Sequence, residues 1–353
     1  MGVNNTLCAL QTRERELYPC FPRMPDRIVW VHVPKTGTTF GSRVLAQWGC
    51  NSDPAYPNNF TAALPEVLSA RSGFLPEVAR SKNLTEKCAQ AYSFDGGNQW
   101  GHHPYTLNAT LLYGQCSRLM AMVRDPISRV ASGFADHLHS CPGVQRRLNL
   151  TEGKAPEFVH LPLHKLCADA EVVLAYARCV QGCTARMLTG RTCGRGEPRF
   201  WAASALARHG PSPLRSDRQL LRSARSWRDL SRAYRRMEVL DIADLAAVIR
   251  LVRTGSAFFG VTTEWKRSVC TFAALYPRRS KQPYDYAALM HNINPARRVS
   301  CSTKVAAVLR RANWRDPADE AIHAAAVARM DELYVKMKGC KGAMEIFNTC
   351  MAT

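Results

Sequence analysis

The sequence lacks any apolar run of the ~18–20 residues needed to cross a bilayer, and its N-terminus has no apolar signal core. It also lacks a C-x-x-C pair and any cysteine–histidine set with zinc spacing, so we expect no structural zinc site. Acidic residues are scarce, because 28 Asp and Glu stand against 48 Lys and Arg and leave a formal net charge of +20. Such a surface attracts polyanions (nucleic acid, anionic lipid or acidic polysaccharide) without choosing among them.

Cysteines and glycosylation sequons are plentiful instead. The chain has 14 cysteines, and five N-x-[ST] sequons begin at Asn4, Asn59, Asn83, Asn108 and Asn149. Together they favour an oxidising lumen and disulfide bonds. Two alternatives stay open: the cysteines are buried free thiols, or Met1-Gly2 with Thr6 is an N-myristoylation signal on a cytosolic protein.

The hydrophobic pattern indicates an α/β fold. Residues 28–33, 119–123 and 257–261 are short, nearly continuous apolar runs, each followed by a turn and a helical pattern. Runs of this kind are typical of strands buried on both faces of a parallel sheet. We expect helices at 39–48, from Pro126 through Leu138 and at 264–275, and a long helix that starts after Asp316. The helix after Pro126 has Asp125 as its N-cap.

The first chemistry-bearing segment lies between the first strand and its helix. Its glycine lets backbone amides close around a phosphate, its lysine supplies a full charge and its threonines supply hydroxyl donors. It is not a Walker A loop, because its lysine precedes its glycine, and no strand ends in an Asp that could hold Mg²⁺. The residues are Pro34, Lys35, Thr36, Gly37, Thr38 and Thr39.

The second segment is R-D-P-I-S-R-V-A-S-G-F, which starts at Arg124 after the second predicted strand. Arg124 and Ser132 lie a little over two helical turns apart, so both can address one side, and an arginine with a hydroxyl suits a dianionic phosphate. Asp125 and Arg129 have the i,i+4 spacing at which opposite charges pair along a helix.

Together the two segments resemble the signature of sulfotransferases that use 3′-phosphoadenosine 5′-phosphosulfate. The first is similar to that family's 5′-phosphosulfate loop and the second to its 3′-phosphate motif. Three further segments resemble the Golgi carbohydrate branch, which includes heparan sulfate and uronyl 2-O-sulfotransferases. They are G-H-H-P-Y at 101–105, F-G-V-T-T-E-W at 259–265 and N-I-N-P at 292–295.

The resemblance implies a P-loop-like sulfotransferase fold with a central parallel sheet flanked by helices. We expect a single such domain over 27–353, with a basic insertion around 195–237 and an N-terminal extension over 1–26 as a candidate stem remnant. The implied location is the Golgi lumen or secretory pathway. Contact with a membrane would then need an anchor that this sequence does not contain.

The resemblance also assigns roles at the reaction centre. A sugar hydroxyl is a poor nucleophile and needs a base, which the resemblance places at His102; His103 is the neighbouring candidate on the other face of an extended segment. Lys35 and the amides of the first segment would neutralise the departing 5′-phosphate. Arg124 and Ser132 would hold the 3′-phosphate. The chemistry requires no metal.

The acceptor is predicted from charge. Arg222, Arg225, Arg228, Arg232 and Arg235 recur every three or four residues, as on one face of a helix, and can bind the carboxylates or sulfates of an acidic polysaccharide. The alternative is a solvated face. Other functions also stay open: a protein-tyrosine or small-molecule sulfotransferase, a nucleotide kinase, or a basic nucleic-acid-binding protein with a degenerate nucleotide site. No motif of a known nucleic-acid module favours the last.

Overall fold

Strands form a four-stranded parallel sheet with the order β2-β1-β3-β4. They are β1 (Ile28–Val31), β2 (Tyr92–Ser93), β3 (Arg118–Val123) and β4 (Ala257–Val261). The computed structural model describes residues 28–31, 33–37, 92–93, 118–136, 138–148, 166–189, 191–195, 226–236, 242–253, 257–276, 284–290 and 299–353. The predicted strands in the three apolar runs are confirmed, although the first is shorter than expected. The short strand β2 was not predicted.

Helices make up most of the remaining described residues. Those before β4 are α1 (Pro126–Ala135), α2 (Pro142–Arg147), α3 (Ala170–Cys179), α4 (Cys183–Leu188), α5 (Trp227–Arg236) and α6 (Ile242–Arg253). A 3₁₀ turn at Thr262–Glu264 follows β4. After it come α7 (Trp265–Leu275), α8 (Tyr286–Met290), α9 (Val299–Arg311), α10 (Pro317–Lys338) and α11 (Lys341–Ala352). The helix predicted at 39–48 lies outside the described residues.

The starts of α1 and α10 follow the predicted capping chemistry. The Asp125 carboxylate accepts a hydrogen bond from the Ser128 amide at 2.8 Å, and a proline occupies the first helical position. Asp316 caps α10 in the same way through the Asp319 amide at 3.3 Å. The end of α1 differs from the prediction: the helix stops at Ala135, and Leu138 is buried in a turn with a φ of 58°.

The sheet is covered on both faces. Successive residues of β3, from Met120 to Met122, are fully buried, which requires helices on either side because their side chains alternate between faces. Phe258 of β4 stacks edge-to-face on Phe272 of α7 with ring centroids 5.4 Å apart. Helix α1 packs against α9, and α10 lies along β4. Because helices pack on both faces of the sheet, the ends of the strands and the loops that follow them have fixed positions.

Disulfides connect the helical layers, as the cysteine count predicted. Every cysteine among the described residues is disulfide-bonded. The assigned pairs are Cys141–Cys179, Cys167–Cys301, Cys183–Cys193 and Cys270–Cys350. This set of bonds fits a secretory or lumenal protein. Among the described residues, none of the helices is both long and apolar enough to span a membrane.

Candidate active site

The loops after β1, β3 and β4 meet at one edge of the sheet. Parallel neighbouring strands bring their carboxyl ends together, and in open α/β sheets this edge is where ligands bind. The Thr262 hydroxyl lies 3.0 Å from the Thr36 carbonyl oxygen and 2.9 Å from the Val123 carbonyl oxygen. This side chain therefore links the first predicted phosphate-binding segment to the end of β3, directly before the second.

Lys35 lies in the loop after β1 and is about three-quarters buried. Its φ of 63° is in the left-handed region, which a non-glycine residue rarely adopts and which is concentrated at functional sites. Its ammonium Nζ lies 2.8 Å from the Asp136 carboxylate, just beyond the end of α1. Its carbonyl oxygen accepts a hydrogen bond from Arg124 at 3.3 Å, so the lysine and the arginine of the two segments are neighbours.

Gly37 occupies a position that only glycine suits. Its φ is 109°, and a Cβ there would lie 3.0 Å from the Trp265 ring. Thr36 is buried, and its hydroxyl donates to the Val33 carbonyl oxygen at 2.7 Å. This hydrogen bond stabilises the turn, so the buried Thr36 side chain helps to fix the conformation of the loop. Positive φ values at Lys35 and Gly37, two positions apart, resemble the alternating backbone of anion-binding nests.

Arg124 is half-buried directly after β3. Burial lowers the pKa of its guanidinium, while the adjacent Asp125 carboxylate acts in the opposite direction and Arg129 adds a further lowering. The side chain nevertheless remains a cation that a phosphate can neutralise, because a guanidinium stays protonated at neutral pH. Ser132 lies half-buried on α1.

The expected ion pair between Asp125 and Arg129 is wrong. Asp125 serves as the cap of α1, and Arg129 is buried. The Arg129 Nη2 lies 3.2 Å from Asp319, 3.6 Å from Asp316 and 2.9 Å from the Val180 carbonyl oxygen. The i,i+4 spacing was compatible with a surface pair, but the capping role of Asp125 and the burial of this face of α1 direct Arg129 inward.

Asp316 and Asp319 complete this buried cluster. Asp319 accepts the amides of Thr184 and Ala185, each at 3.0 Å, and Asp316 accepts the Gly182 amide at 2.8 Å. Burial, together with the nearby Asp319 carboxylate, raises the pKa of Asp316 to about 7, and Arg129 opposes the shift. The cluster anchors α1 to the start of α10 and to the backbone before and within α4.

Other predicted site residues are only partly described. Six of them lie outside the described residues: Thr38, Thr39, His102, His103, Arg222 and Arg225. The side chain of Arg235 also lies outside them. Arg228 and Arg232 lie on α5, where their side chains are 77% and 63% exposed. Arg228 pairs with Glu171 of α3 at 2.7 Å, and Arg232 pairs with Asp229 at 3.4 Å.

Comparison with known protein families gives a match that covers part of this edge. Residues 23–157 match the model of the Sulfotransferase family. The match identifies the chain as an enzyme that transfers sulfate groups and implies 3′-phosphoadenosine 5′-phosphosulfate as the donor. It includes both segments that the sequence analysis predicts to bind phosphate, and it ends before β4. Comparisons with curated proteins and with solved structures give no significant match.

Sequence reasoning missed three residues that shape this site. Thr262 and Trp265 lie in a segment quoted for its resemblance, but the pattern did not reveal their contacts with the loop after β1. Asp136 had no signal, because its partner Lys35 is 101 residues away. Among the described residues, no cluster of His, Cys, Asp and Glu has the arrangement of a metal site. The expectation that transfer needs no metal stays a prediction.

Proposed function

We propose that this enzyme transfers the sulfuryl group of 3′-phosphoadenosine 5′-phosphosulfate to a hydroxyl of a carbohydrate, with an acidic polysaccharide as the acceptor. The observation that carries the donor half of the proposal is that Lys35 and Arg124 lie together at one edge of the sheet. The Arg124 guanidinium donates a hydrogen bond to the Lys35 carbonyl oxygen at 3.3 Å. The family match supports the same donor. The carbohydrate acceptor rests on resemblance and charge.

We infer that the four strands belong to the central sheet of a P-loop-like sulfotransferase fold, within a single domain over 27–353. Support comes from the parallel order of β2-β1-β3-β4 and from the burial of β3 on both faces. The 1–26 extension and the basic insertion around 195–237 remain part of the proposal. The Golgi lumen is the proposed compartment, for which the disulfides give general support.

The described residues fit the donor's phosphates. Lys35 brings a full positive charge to a loop whose backbone has positive φ at two positions, so cationic and amide donors can face one phosphate group. Arg124 offers a planar guanidinium beside it, and Ser132 is on the helix that begins two residues later. We assign the 5′-phosphosulfate to residues 35–39 and the 3′-phosphate to Arg124 and Ser132.

The donor supplies an activated sulfuryl group, and the protein supplies positioning and charge. We assign His102 as the base that accepts the hydroxyl proton of the acceptor as its oxygen bonds to sulfur, with His103 as the alternative. As the bond between sulfur and the phosphate oxygen breaks, Lys35 neutralises the negative charge that grows on that oxygen. Arg124 and Ser132 act away from the reacting atoms, by holding the donor in line.

The net charge of +20 supports an anionic acceptor, because a polyanion is drawn to a basic surface over several ångströms. Arg228 and Arg232 stand out on α5 with most of their surface exposed. We propose that they and Arg225 bind carboxylate or sulfate groups of the polysaccharide. Their present acidic partners, Glu171 and Asp229, form exposed pairs that an incoming polyanion can replace at little cost.

A transfer assay with radiolabelled donor tests this function. The wild type should sulfate acidic polysaccharides in a panel that also contains neutral glycans, a tyrosine peptide and small phenols. Lys35→Ala should lower turnover by about 10²–10³-fold, because one lost contact with developing charge costs that much. Lys304→Ala removes an exposed lysine of α9 and should leave turnover unchanged.

Three results would contradict the proposal at different points. Near-normal turnover in a folded Lys35→Ala enzyme would overturn the assignment of the loop after β1. Transfer to the tyrosine peptide or the phenols alone would preserve the donor site and replace the carbohydrate acceptor. Binding of oligonucleotide but not of 3′-phosphoadenosine 5′-phosphate, measured by calorimetry, would favour the nucleic-acid-binding alternative.

A further inference from the structure

The ion pair between Lys35 and Asp136 lies inside the proposed donor site. The two side chains are 23% and 22% exposed, and their charged atoms are 2.8 Å apart. The stem of Lys35 passes α1 at Gly133, where a Cβ would lie 3.6 Å from the lysine Cγ. The lysine therefore lies along the last turn of α1 and meets Asp136 immediately beyond it.

Asp136 occupies an electrostatically unfavourable place for a carboxylate. Its amide donates to the Ser132 carbonyl oxygen at 3.1 Å, so it caps the C-terminal end of α1. The exposed carbonyls at that end carry partial negative charge, which disfavours an acidic side chain and favours a basic one. The ion pair with Lys35 in the loop after β1 offsets this unfavourable placement.

We propose that Asp136 is a positioning residue that serves as the counter-ion of Lys35 in the donor-free enzyme and competes with the 5′-phosphate for that lysine. The inference rests on the proposed function, because it takes the loop after β1 as the 5′-phosphosulfate site. The carboxylate keeps the lysine extended along α1 while the site is empty. When a phosphate binds at Lys35, it meets a fixed negative charge within a few ångströms.

Two consequences follow from this arrangement. The repulsion between carboxylate and phosphate, acting in a partly buried site where water screens it weakly, lowers the affinity for any nucleotide with a 5′-phosphate. The same repulsion favours release of the desulfated product, which retains that phosphate. Asp136 thus sets the balance between holding the donor and releasing the product. Nucleotides without a 5′-phosphate should not be affected by it.

Calorimetry with two nucleotides tests the inference without an activity measurement. The probes are 3′-phosphoadenosine 5′-phosphate and adenosine 3′-phosphate, which differ only in the 5′-phosphate. Asp136→Asn removes the charge but keeps the shape, and asparagine is well tolerated where a helix ends. We expect this variant to bind the bisphosphate roughly tenfold more tightly, since one like charge is removed a few ångströms from the ligand. Affinity for adenosine 3′-phosphate should not change.

Two further variants complete the test. Asp136→Glu keeps the charge and should bind the bisphosphate with near-wild-type affinity. Glu345→Gln changes the net charge by the same amount on an exposed position of α11 and should have no effect on either nucleotide. Thermal unfolding of each variant establishes that it is folded.

The outcomes separate the inference from the function on which it rests. Unchanged or weaker bisphosphate binding by folded Asp136→Asn, with normal binding by the wild type, would overturn the role of Asp136 and leave the donor site intact. Equal tightening for both nucleotides would also overturn it, because the effect would then not involve the 5′-phosphate. Failure of the wild type to bind either nucleotide would overturn the proposed donor site itself.

Discussion

Arg124 and Arg129 come from the same short motif and have opposite surroundings. Arg124 is half-buried at the sheet edge, where its hydrogen bond goes to the Lys35 carbonyl oxygen of the loop. Arg129 is almost fully buried, and its guanidinium meets the carboxylates of Asp316 and Asp319. One side chain lies beside the proposed phosphate site, and the other lies within an ionic cluster of the protein itself.

The difference shows that residue type and motif position do not decide what a charged side chain does. A buried cation needs buried anions, because an unpaired ion in the interior costs several kcal/mol. Arg129 has such anions from α10, a helix that begins almost two hundred residues later in the chain. Arg124 has an adjacent carboxylate in Asp125, which is already engaged in capping α1. Arg124 therefore keeps the capacity to bind an external anion.

Replacing Arg129 should give the largest effect on stability. Arg129→Met leaves Asp316 and Asp319 buried without the cation that they share, which typically costs about 3–5 kcal/mol. We therefore expect a large drop in the free energy of unfolding, measured with urea at neutral pH. Arg315→Met is the matched control, because Arg315 pairs with Glu320 on the surface and its loss should leave unfolding close to that of the wild type. Equal stability of the Arg129 and Arg315 variants would show that the buried cluster is not what holds α1 to α10.

Replacing Arg124 should have the complementary effect, on binding. Arg124→Met should weaken binding of 3′-phosphoadenosine 5′-phosphate by about 10- to 100-fold, the range for a lost hydrogen bond to a charged group. Stability should change little. Adenosine 5′-phosphate, which lacks the 3′-phosphate, serves as the control ligand, and calorimetry should give the same affinity for it in variant and wild type. A loss shared by both nucleotides would place Arg124 elsewhere in the donor site.

The fold was predictable where the pattern is local. Apolar runs at β1, β3 and β4, together with the Asp125-Pro126 and Asp316-Pro317 cap signals, indicate strands and helix starts within a few residues of their positions. Strand β2 was not predictable in this way, because two residues carry no periodicity. The end of α1 was also missed, since Leu138 continues the apolar face although the helix has already ended.

The candidate site was predictable only in part. The glycine, the lysine and the arginine of the two segments could be singled out because these residue types by themselves suit phosphate binding. Partners that depend on the tertiary fold gave no such signal: Asp136 for Lys35, Thr262 for the two carbonyls, and Asp319 for Arg129. In each of these contacts the residues are separated by about a hundred positions or more. Local patterns in a single sequence do not indicate which distant residues will meet.

The smallest effect concerns how the buried cluster responds to pH. Burial and the nearby Asp319 raise the pKa of Asp316 from 3.8 to about 7, so the folded protein keeps a proton on Asp316 that the unfolded chain has lost between about pH 4 and pH 7. Unfolding then releases this proton, so the stability contributed by Asp316 is complete below about pH 4 and declines as the pH rises to about 7. Arg129 and Arg195 face the same carboxylate and moderate the decline.

Asp316→Asn tests this response, because asparagine keeps an oxygen for the Gly182 amide and cannot ionise. The melting temperature of the variant, relative to that of the wild type, should rise between pH 4 and pH 7. We expect a gradual rise of a few degrees over this range, because the wild type progressively loses the stability that the proton on Asp316 contributes and the variant does not. Glu345→Gln removes an exposed carboxylate and should give a difference from wild type that does not vary over this range. If the Asp316 variant instead loses stability relative to wild type as the pH rises, Asp316 is ionised throughout this range. The cluster of Arg129, Asp316 and Asp319 is then a full ion triad.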